Sequence, residues 1–286
     1  MRGWGRVGVG LWVLVWGLGA PASDVKGGGE ESADAAASAE PLHGTPTLRC
    51  EVSELRPGTT AWFALDFVID PHWHMYWNGR NDSGLPPVVT AHLPAGFEMG
   101  PMEWPAPERM LSPGGILDHV YTRRATLLFP LRVAADARVG GEVDLRFDVD
   151  WLVCHEMCIP ERKNLAARLP VRAGDGPPSL GPDAPIFTAA RERLPRPASE
   201  AGKALRMRWK DGELTLRLSD SKGLAFYPDT ACVELTDPLT TTESKGDRLR
   251  LTPTETEAGG QVSGVLAAQR DARTDYFLIN SPVKRR

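Results

Sequence analysis

The sequence predicts an all-β protein: an antiparallel sandwich followed by a second, smaller β-sandwich domain. Three observations carry that expectation. Apolar residues recur at every second position over long stretches from about Thr45 onward, and turn residues separate those stretches. The runs also follow one another as strands, without the alternating helices that βαβ units need. The frame is permissive. A chain of 286 residues, 42% hydrophobic and 24% charged, can bury one large or two ordinary cores and is too apolar to be wholly disordered. Lys and Arg number 33 against 37 Asp and Glu, a net charge of -4 with no basic stripe, which argues against nucleic acid as a partner.

Taken in order, residues 1–22 read as an export signal. Arg2 and Arg6 precede an apolar run from Val7 to Gly19, and Ala20-Pro21-Ala22 supplies a small-x-small cleavage site. Thirteen residues, four of them Gly, are too short for a bilayer-spanning helix, which needs roughly 20. No later segment is long and apolar enough to cross, so the mature protein is expected outside the cytosol and not membrane-spanning. Residues 23–44 hold almost no large hydrophobes and read as a flexible leader.

The first β domain is expected over residues 45–172. Leu48, Cys50 and Val52 alternate between Thr47 and Glu54, and Ala61, Phe63, Leu65, Phe67 and Ile69 share one face. Leu127 to Val133 and Leu165 to Val171 give two more strands. The clearest is Glu142 to Val153, with Val143, Leu145, Phe147, Val149, Trp151 and Val153 on one side and Asp144, Arg146, Asp148 and Asp150 on the other. Residues 173–200 contain six Pro and three Gly, a linker with one short helix expected over Ile186–Leu194. The second domain, 201–286, opens with a hairpin. Leu205, Met207 and Trp209 lead into Lys210-Asp211-Gly212-Glu213 and out through Leu214, Leu216 and Leu218, and Asp-Gly between alternating runs is a strong hairpin signal. Strands are further expected over Leu224–Tyr227, Ala231–Leu235, Leu249–Leu251, Val262–Leu266 and Tyr276–Ile279.

Four cysteines are too few for a disulfide-rich scaffold, so each is read separately. In a straight strand Cys154 and Cys158 lie about 13 Å apart, at ~3.3 Å per residue, whereas a disulfide needs Cα atoms at ~4.4–6.8 Å. If the two pair, the chain turns between them. Closing so short a loop stabilises by only about 2 kcal/mol, against roughly 5 for Cys50 bridged to Cys232. A weak staple is an easily reduced one, which favours exchange chemistry over structure. Between the thiols, His155 favours a thiolate when protonated and Glu156 opposes it. Two other readings stand beside exchange. One is an inert surface disulfide. The other is a soft-metal site using Cys154, His155, Cys158, His72 and His74, with Met75 and Met157, although C-x3-C with H-x-H lacks the spacing of structural zinc sites. Cys50 and Cys232 fall in different expected domains and either bridge them or are two buried, unpaired thiols; the second is preferred, since free Cys is commonly a small core residue.

Three stretches in order then carry a family resemblance. Asp70-Pro-His-Trp-His-Met-Tyr-Trp77 leads into Asn81-Asp-Ser-Gly-Leu-Pro-Pro87; Gly100-Pro-Met-Glu-Trp-Pro-Ala-Pro-Glu-Arg109 follows; Trp151-Leu-Val-Cys-His-Glu-Met-Cys-Ile-Pro-Glu161 is third. Together they resemble the N-terminal periplasmic domain of the DsbD and ScsB thiol:disulfide interchange proteins, closer to the ScsB type, over residues 45–172. Phe226-Tyr-Pro-Asp229 and Val262-Ser-Gly-Val-Leu266 echo the second β domain of ScsB-type proteins.

The resemblance implies an immunoglobulin-like sandwich in the periplasm whose Cys pair takes electrons from a membrane-embedded donor and passes them to thioredoxin-fold or other disulfide-bearing clients. It implies that Cys158 is the attacking thiol and Cys154 the resolving one. It also implies a cap loop over the pair, for which the Trp104–Tyr121 segment offers Trp104, Met110 and Tyr121. His74 and Trp77 are expected to serve the fold rather than chemistry, and Asn81-Asp-Ser-Gly to be a turn. No organic cofactor and no metal is expected, because two sulfurs carry both electrons. The sequence ends in Ser-Pro-Val-Lys-Arg-Arg286 without the family's transmembrane and thioredoxin-like domains, so the donor is expected to be a separate membrane protein of the DsbD or CcdA type. A copper-handling module using the same Cys with His or Met ligands, and a redox-inactive interaction sandwich, are the rivals.

Overall fold

The alternating segments become paired strands. The computed structural model describes residues 41–254 and 259–284, so the expected signal peptide and all but the last four residues of the expected leader lie outside the described residues. In chain order the first sandwich comprises β1 (Gly44–Cys50), β2 (Thr60–Ile69), β3 (His74–Tyr76), β4 (Val88–His92), β5 (Phe97–Met99), β6 (Glu108–Ser112), β7 (Ile116–Thr122), β8 (Arg124–Val133), β9 (Gly141–Cys154) and β10 (Cys158–Val171). A helix, α1 (Ala184–Arg191), and a two-residue strand, β11 (Arg196–Pro197), lead to β12 (Leu205–Lys210), β13 (Glu213–Leu218), β14 (Gly223–Pro228), a single helical turn α2 (Pro238–Thr241), β15 (Glu243–Lys245), β16 (Arg248–Leu251), β17 (Gln261–Gln269) and β18 (Thr274–Pro282).

One sheet of the first sandwich runs β1-β2-β8-β5; the other runs β10-β9-β3-β7-β6, with β4 also paired to β9. All pairings in both are antiparallel. The β9 face expected to be apolar turns inward, and Phe147 lies 5.4 Å from Phe129 of the opposite sheet, centroid to centroid, while Trp151 meets Phe67 edge-on at 5.4 Å. Burying such side chains between two sheets stabilises by about 1.5–3 kcal/mol each. The outer face of β2 and β8 is covered as well: Phe187 and Ala190 of α1 pack on Ala64 and Leu128. The single buried charge of that β2 stretch, Asp66, is held by Arg124 through two 2.7 Å bonds and by Thr126.

The second sandwich pairs β11-β18-β17-β14-β15 against β12-β13-β16 around Leu214, Leu216, Phe226, Leu249, Leu266 and Phe277. Its opening hairpin turns through Asp211 and Gly212, both with positive φ (53° and 78°), the geometry of a type I′ turn. One expected strand does not form. Over Ala231–Leu235 there are only two isolated bridges, Cys232 to Gln261 and Leu235 to Pro253. The cause is local: Ala231 N donates to the Asp229 carboxylate and Cys232 N to the Asp229 carbonyl, so the turn consumes donors a ladder needs. The first expected strand also shifts, ending at Cys50 rather than Glu54, with Val52 bridging Leu180 instead.

The second sandwich packs directly on the first: Tyr227, Val265 and Ala267 belong to the same apolar cluster as the first sandwich's core.

Candidate functional site: a disulfide at the tip of the longest hairpin

Strands β9 and β10 pair over fourteen residues, and their last register pair is Cys154 opposite Cys158. His155, Glu156 and Met157 make the turn between them, with His155 N donating to Met157 O at 3.2 Å. The chain thus reverses between the cysteines, which brings their Cα atoms to 4.1 Å and joins them in a disulfide. The two sulfurs are not equivalent. Cys154 is buried at 3% exposure, whereas Cys158 is exposed. Strand position explains the difference, because Cys154 on β9 is flanked in the sheet by β10 and by His74 of β3, whereas Cys158 opens the edge strand β10.

A phenol reaches both sulfurs. Tyr76 Oη lies 3.2 Å from Cys154 Sγ, to which it donates, and 3.5 Å from Cys158 Sγ. The same hydroxyl is 3.1 Å from Ser83 Oγ and 3.4 Å from His74 Nε2. Ser83 Oγ in turn donates to Asp118 Oδ2 at 2.6 Å, and Asp118 Oδ1 accepts from Asp82 N and Ser83 N at 2.9 and 3.0 Å. A carboxylate only accepts, so the one Ser83 hydrogen goes to Asp118 and the Ser83 lone pairs face Tyr76. The single Tyr76 hydrogen therefore has competing acceptors: Ser83, the sulfurs and, in one tautomer, His74 Nε2. Burial raises the Tyr76 pKa, with the Ser83 bond opposing, so the group stays a donor. Burial also lowers the His74 pKa and keeps that imidazole neutral.

Gly84 makes the arrangement possible. A Cβ there would sit 2.1 Å from Cε2 and Cζ of the buried Tyr76 ring, so only glycine lets the Asn81–Gly84 turn lie against it. The hairpin itself is pinned by Glu161, opposite Trp151 in the register. Its carboxylate accepts from Trp151 Nε1 at 2.8 Å, His43 N at 2.7 Å and Gly44 N at 3.1 Å.

The three cap residues implied by the resemblance are placed apart. Met110, on β6, packs against the cluster of Tyr76, Val120 and Cys154. Tyr121 is buried in the main core, its hydroxyl donating to Pro105 O at 2.7 Å. Trp104 lines a cleft of about 370 Å³ with Trp77, Leu194, Asp229 and Leu278. The structure brings Met110 alone of the three to the cluster around Cys154. It also brings there Tyr76, Ser83 and Asp118, none of which the sequence reading gave a chemical role. The available signal was a tyrosine and a serine inside two of the quoted motifs; nothing in the sequence marks Asp118, 42 residues beyond Tyr76.

Around the turn stand an exposed Met157, His155, and Trp73, which stacks on His43 at 3.8 Å. Trp73 and His72 lie 5.7 and 6.1 Å from His155. Among the described residues no group of three or more His, Cys, Asp or Glu is placed to hold a metal ion. Cys50 and Cys232 are unpaired, but only Cys232 is buried; Cys50 is half-buried. Burial pushes the Cys50 thiol up to about 11 and raises that of Cys232, so both are poor nucleophiles near neutral pH. No helix among the described residues is long and apolar enough to cross a membrane.

Comparison with known proteins places this geometry. Residues 39–170 match the family model of the thiol:disulfide interchange protein DsbD, N-terminal. The N-terminal periplasmic domain of ScsB from Proteus mirabilis superposes with a TM-score of 0.55 at 15% identity, covering 85% of this chain and 94% of that one. That likeness is one of fold, and it extends over both sandwiches. The reduced DsbD N-terminal domain of Neisseria meningitidis aligns at 17% identity over 47% of this chain and 87% of that one, with a TM-score of 0.29. No curated protein sequence matches the chain. The segment that forms the first sandwich and carries the Cys154–Cys158 disulfide is the part of the chain that is similar to the DsbD N-terminal domain family of thiol:disulfide interchange proteins.

Proposed function

We propose that the protein is a periplasmic thiol-disulfide exchange protein that passes electrons from a separate membrane dithiol donor to disulfide-bearing clients through Cys154 and Cys158. The observation that carries this reading is the asymmetry of the pair: one exposed sulfur, one buried sulfur beside a hydrogen-bond donor. In the reduced pair the Cys158 thiolate attacks one sulfur of a client disulfide. A Cys158–client mixed disulfide forms, and the client's other sulfur leaves as a thiolate. The Cys154 thiol loses its proton and attacks Cys158 Sγ, re-forming Cys154–Cys158 and releasing the client's second thiolate. Two electrons pass to the client and two protons complete its thiols. Recharging runs in reverse: a donor thiolate attacks exposed Cys158, and Cys154 leaves as a thiolate stabilised by the Tyr76 hydrogen bond.

Exposed Met157, His155 and His72, with Trp73 beside them, form the rim that a client's chain meets first. The test is to trap the intermediate. Reduced Cys154→Ser protein mixed with glutathione disulfide is expected to accumulate a mixed disulfide on Cys158, whereas the parent forms Cys154–Cys158 and two reduced glutathiones. A Cys158→Ser protein whose Cys154 forms the mixed disulfide faster than Cys158 does in Cys154→Ser, or a parent pair that glutathione disulfide never oxidises, contradicts the reading.

A further inference from the structure

The second sandwich grips both segments that surround the buried sulfur. On the hairpin β6–β7, Arg109 and Met110 are consecutive strand residues and so project to opposite faces. Met110 packs against the buried cluster formed by Tyr76, Val120 and Cys154. Arg109 turns to the second sandwich and is only 15% exposed there. Its guanidinium donates to the Glu243 carboxylate at 3.2 Å, to Leu239 O, and to Pro238 O at 3.5 Å, so it caps the carbonyls of the α2 turn. At the hairpin's tip, the Leu239 side chain lies where a Cβ on Gly115 would be 3.6 Å away. The loop that carries Ser83 is held from the same side. Arg80 N donates to Pro228 O at 2.9 Å and Arg80 Nη2 to Cys232 O at 2.6 Å. His119 of β7 bonds Arg80 O at 2.6 Å and meets the Tyr227 ring edge-on.

We propose that the second sandwich dictates which sulfur of the pair a partner reaches, with Arg109 as the positioning residue: by anchoring the β6–β7 hairpin it holds Met110 against the buried cluster of Tyr76, Val120 and Cys154 and leaves Cys158 as the open thiol. This rests on the exchange reading for its biological meaning but not for its test. A guanidinium suits the task because its planar fork engages carbonyl and carboxylate at once, which an ammonium does not. The arrangement also gives a smaller β domain with no cysteine pair of its own a role in exchange at the first.

The experiment uses full-length protein carrying Cys158→Ser or Cys154→Ser, so that one thiol of the pair is left in each, and follows iodoacetamide alkylation by mass spectrometry of the Cys154 and Cys158 peptides. Rates are taken across pH to their thiolate plateau, so that changes in access separate from changes in thiol pKa. With Arg109 intact, Cys154 is expected to react more slowly than Cys158. Arg109→Ala is expected to raise the Cys154 plateau about tenfold, the kinetic equivalent of one lost charge-assisted hydrogen bond, and to leave Cys158 within about twofold. Arg109→Lys falls between. Glu243→Gln weakens the same grip from the exposed side, with a smaller rise in the same sense, and decides the matter alone if Arg109→Ala does not fold. Unchanged Cys154 plateaus in Arg109→Ala and Glu243→Gln, or equal acceleration of both thiols, overturn the proposal. Alkylation needs neither a client nor a particular potential, so failure here and failure of the exchange assay are distinguishable.

Discussion

Tyr76 and Ser83 touch the same hydrogen bond and predict shifts of opposite sign. In a Cys158→Ser background the Cys154 thiolate has one donor in the described structure, Tyr76 Oη, 3.2 Å from its sulfur in the disulfide form. A hydrogen bond to a charged group contributes about 1.5–3 kcal/mol, and a diffuse sulfur acceptor belongs at the low end. Tyr76→Phe keeps the buried ring and removes that bond, so the Cys154 thiol pKa is expected to rise by about one unit, since a unit is 1.36 kcal/mol. Ser83→Ala removes one of the competing acceptors. The Tyr76 hydrogen then goes to sulfur without giving up a neutral bond of ~0.7 kcal/mol, and the Cys154 pKa is expected to fall by about half a unit. The assay is the pH profile of Cys154 alkylation, resolved by peptide mass. Shifts of the same sign in both variants, or a Tyr76→Phe profile superimposable on the parent, refute the competing-acceptor account.

Other consequences are equally direct. Gly84→Ala pushes a methyl into the Tyr76 ring and is expected to cost about 1–3 kcal/mol in denaturant unfolding while raising the Cys154 pKa as Tyr76→Phe does. Glu161→Ala strands the Trp151 indole N–H and two backbone N–H groups, so a loss of ~3 kcal/mol is expected by the same measurement. Acid is expected to destabilise through His119 and His74. Burial depresses both native pKa values below the ordinary His value of ~6.5, so below that pH the unfolded chain binds protons that the native one refuses. Stability should therefore fall with pH from ~6.5 down to the depressed native values, and His119→Gln should flatten the slope in thermal unfolding between pH 7 and pH 5.

What was legible in the sequence is what short-range pattern controls. The inward face of β9, the Asp211-Gly212 turn and the helix in the Pro-rich segment follow from period, positive-φ chemistry and a short apolar run, and all three form. The strand expected at Ala231–Leu235 fails because a side-chain carboxylate competes for the backbone, which alternation does not register. The cysteine hairpin was conditional on a reversal between the cysteines, and the register supplies it. The hydroxyl network was not legible. Asp82 and Ser83 have the composition of an ordinary turn, and their partner Asp118 arrives only when β7 pairs with β3. The grip of Arg109 on α2 spans about 130 residues of sequence and follows from the docking of two sandwiches, which no local signal encodes.

The central claim is that Cys154 and Cys158 form an exchanging pair, and its most direct test is the reduction potential of that pair. The purified protein is equilibrated in glutathione or dithiothreitol buffers, quenched in acid, and its free thiols counted by peptide mass. The account predicts a single two-electron transition confined to Cys154 and Cys158 between about -200 and -270 mV, where exchange proteins lie. A pair that stays oxidised far below that range, or one that never forms a disulfide, would contradict it.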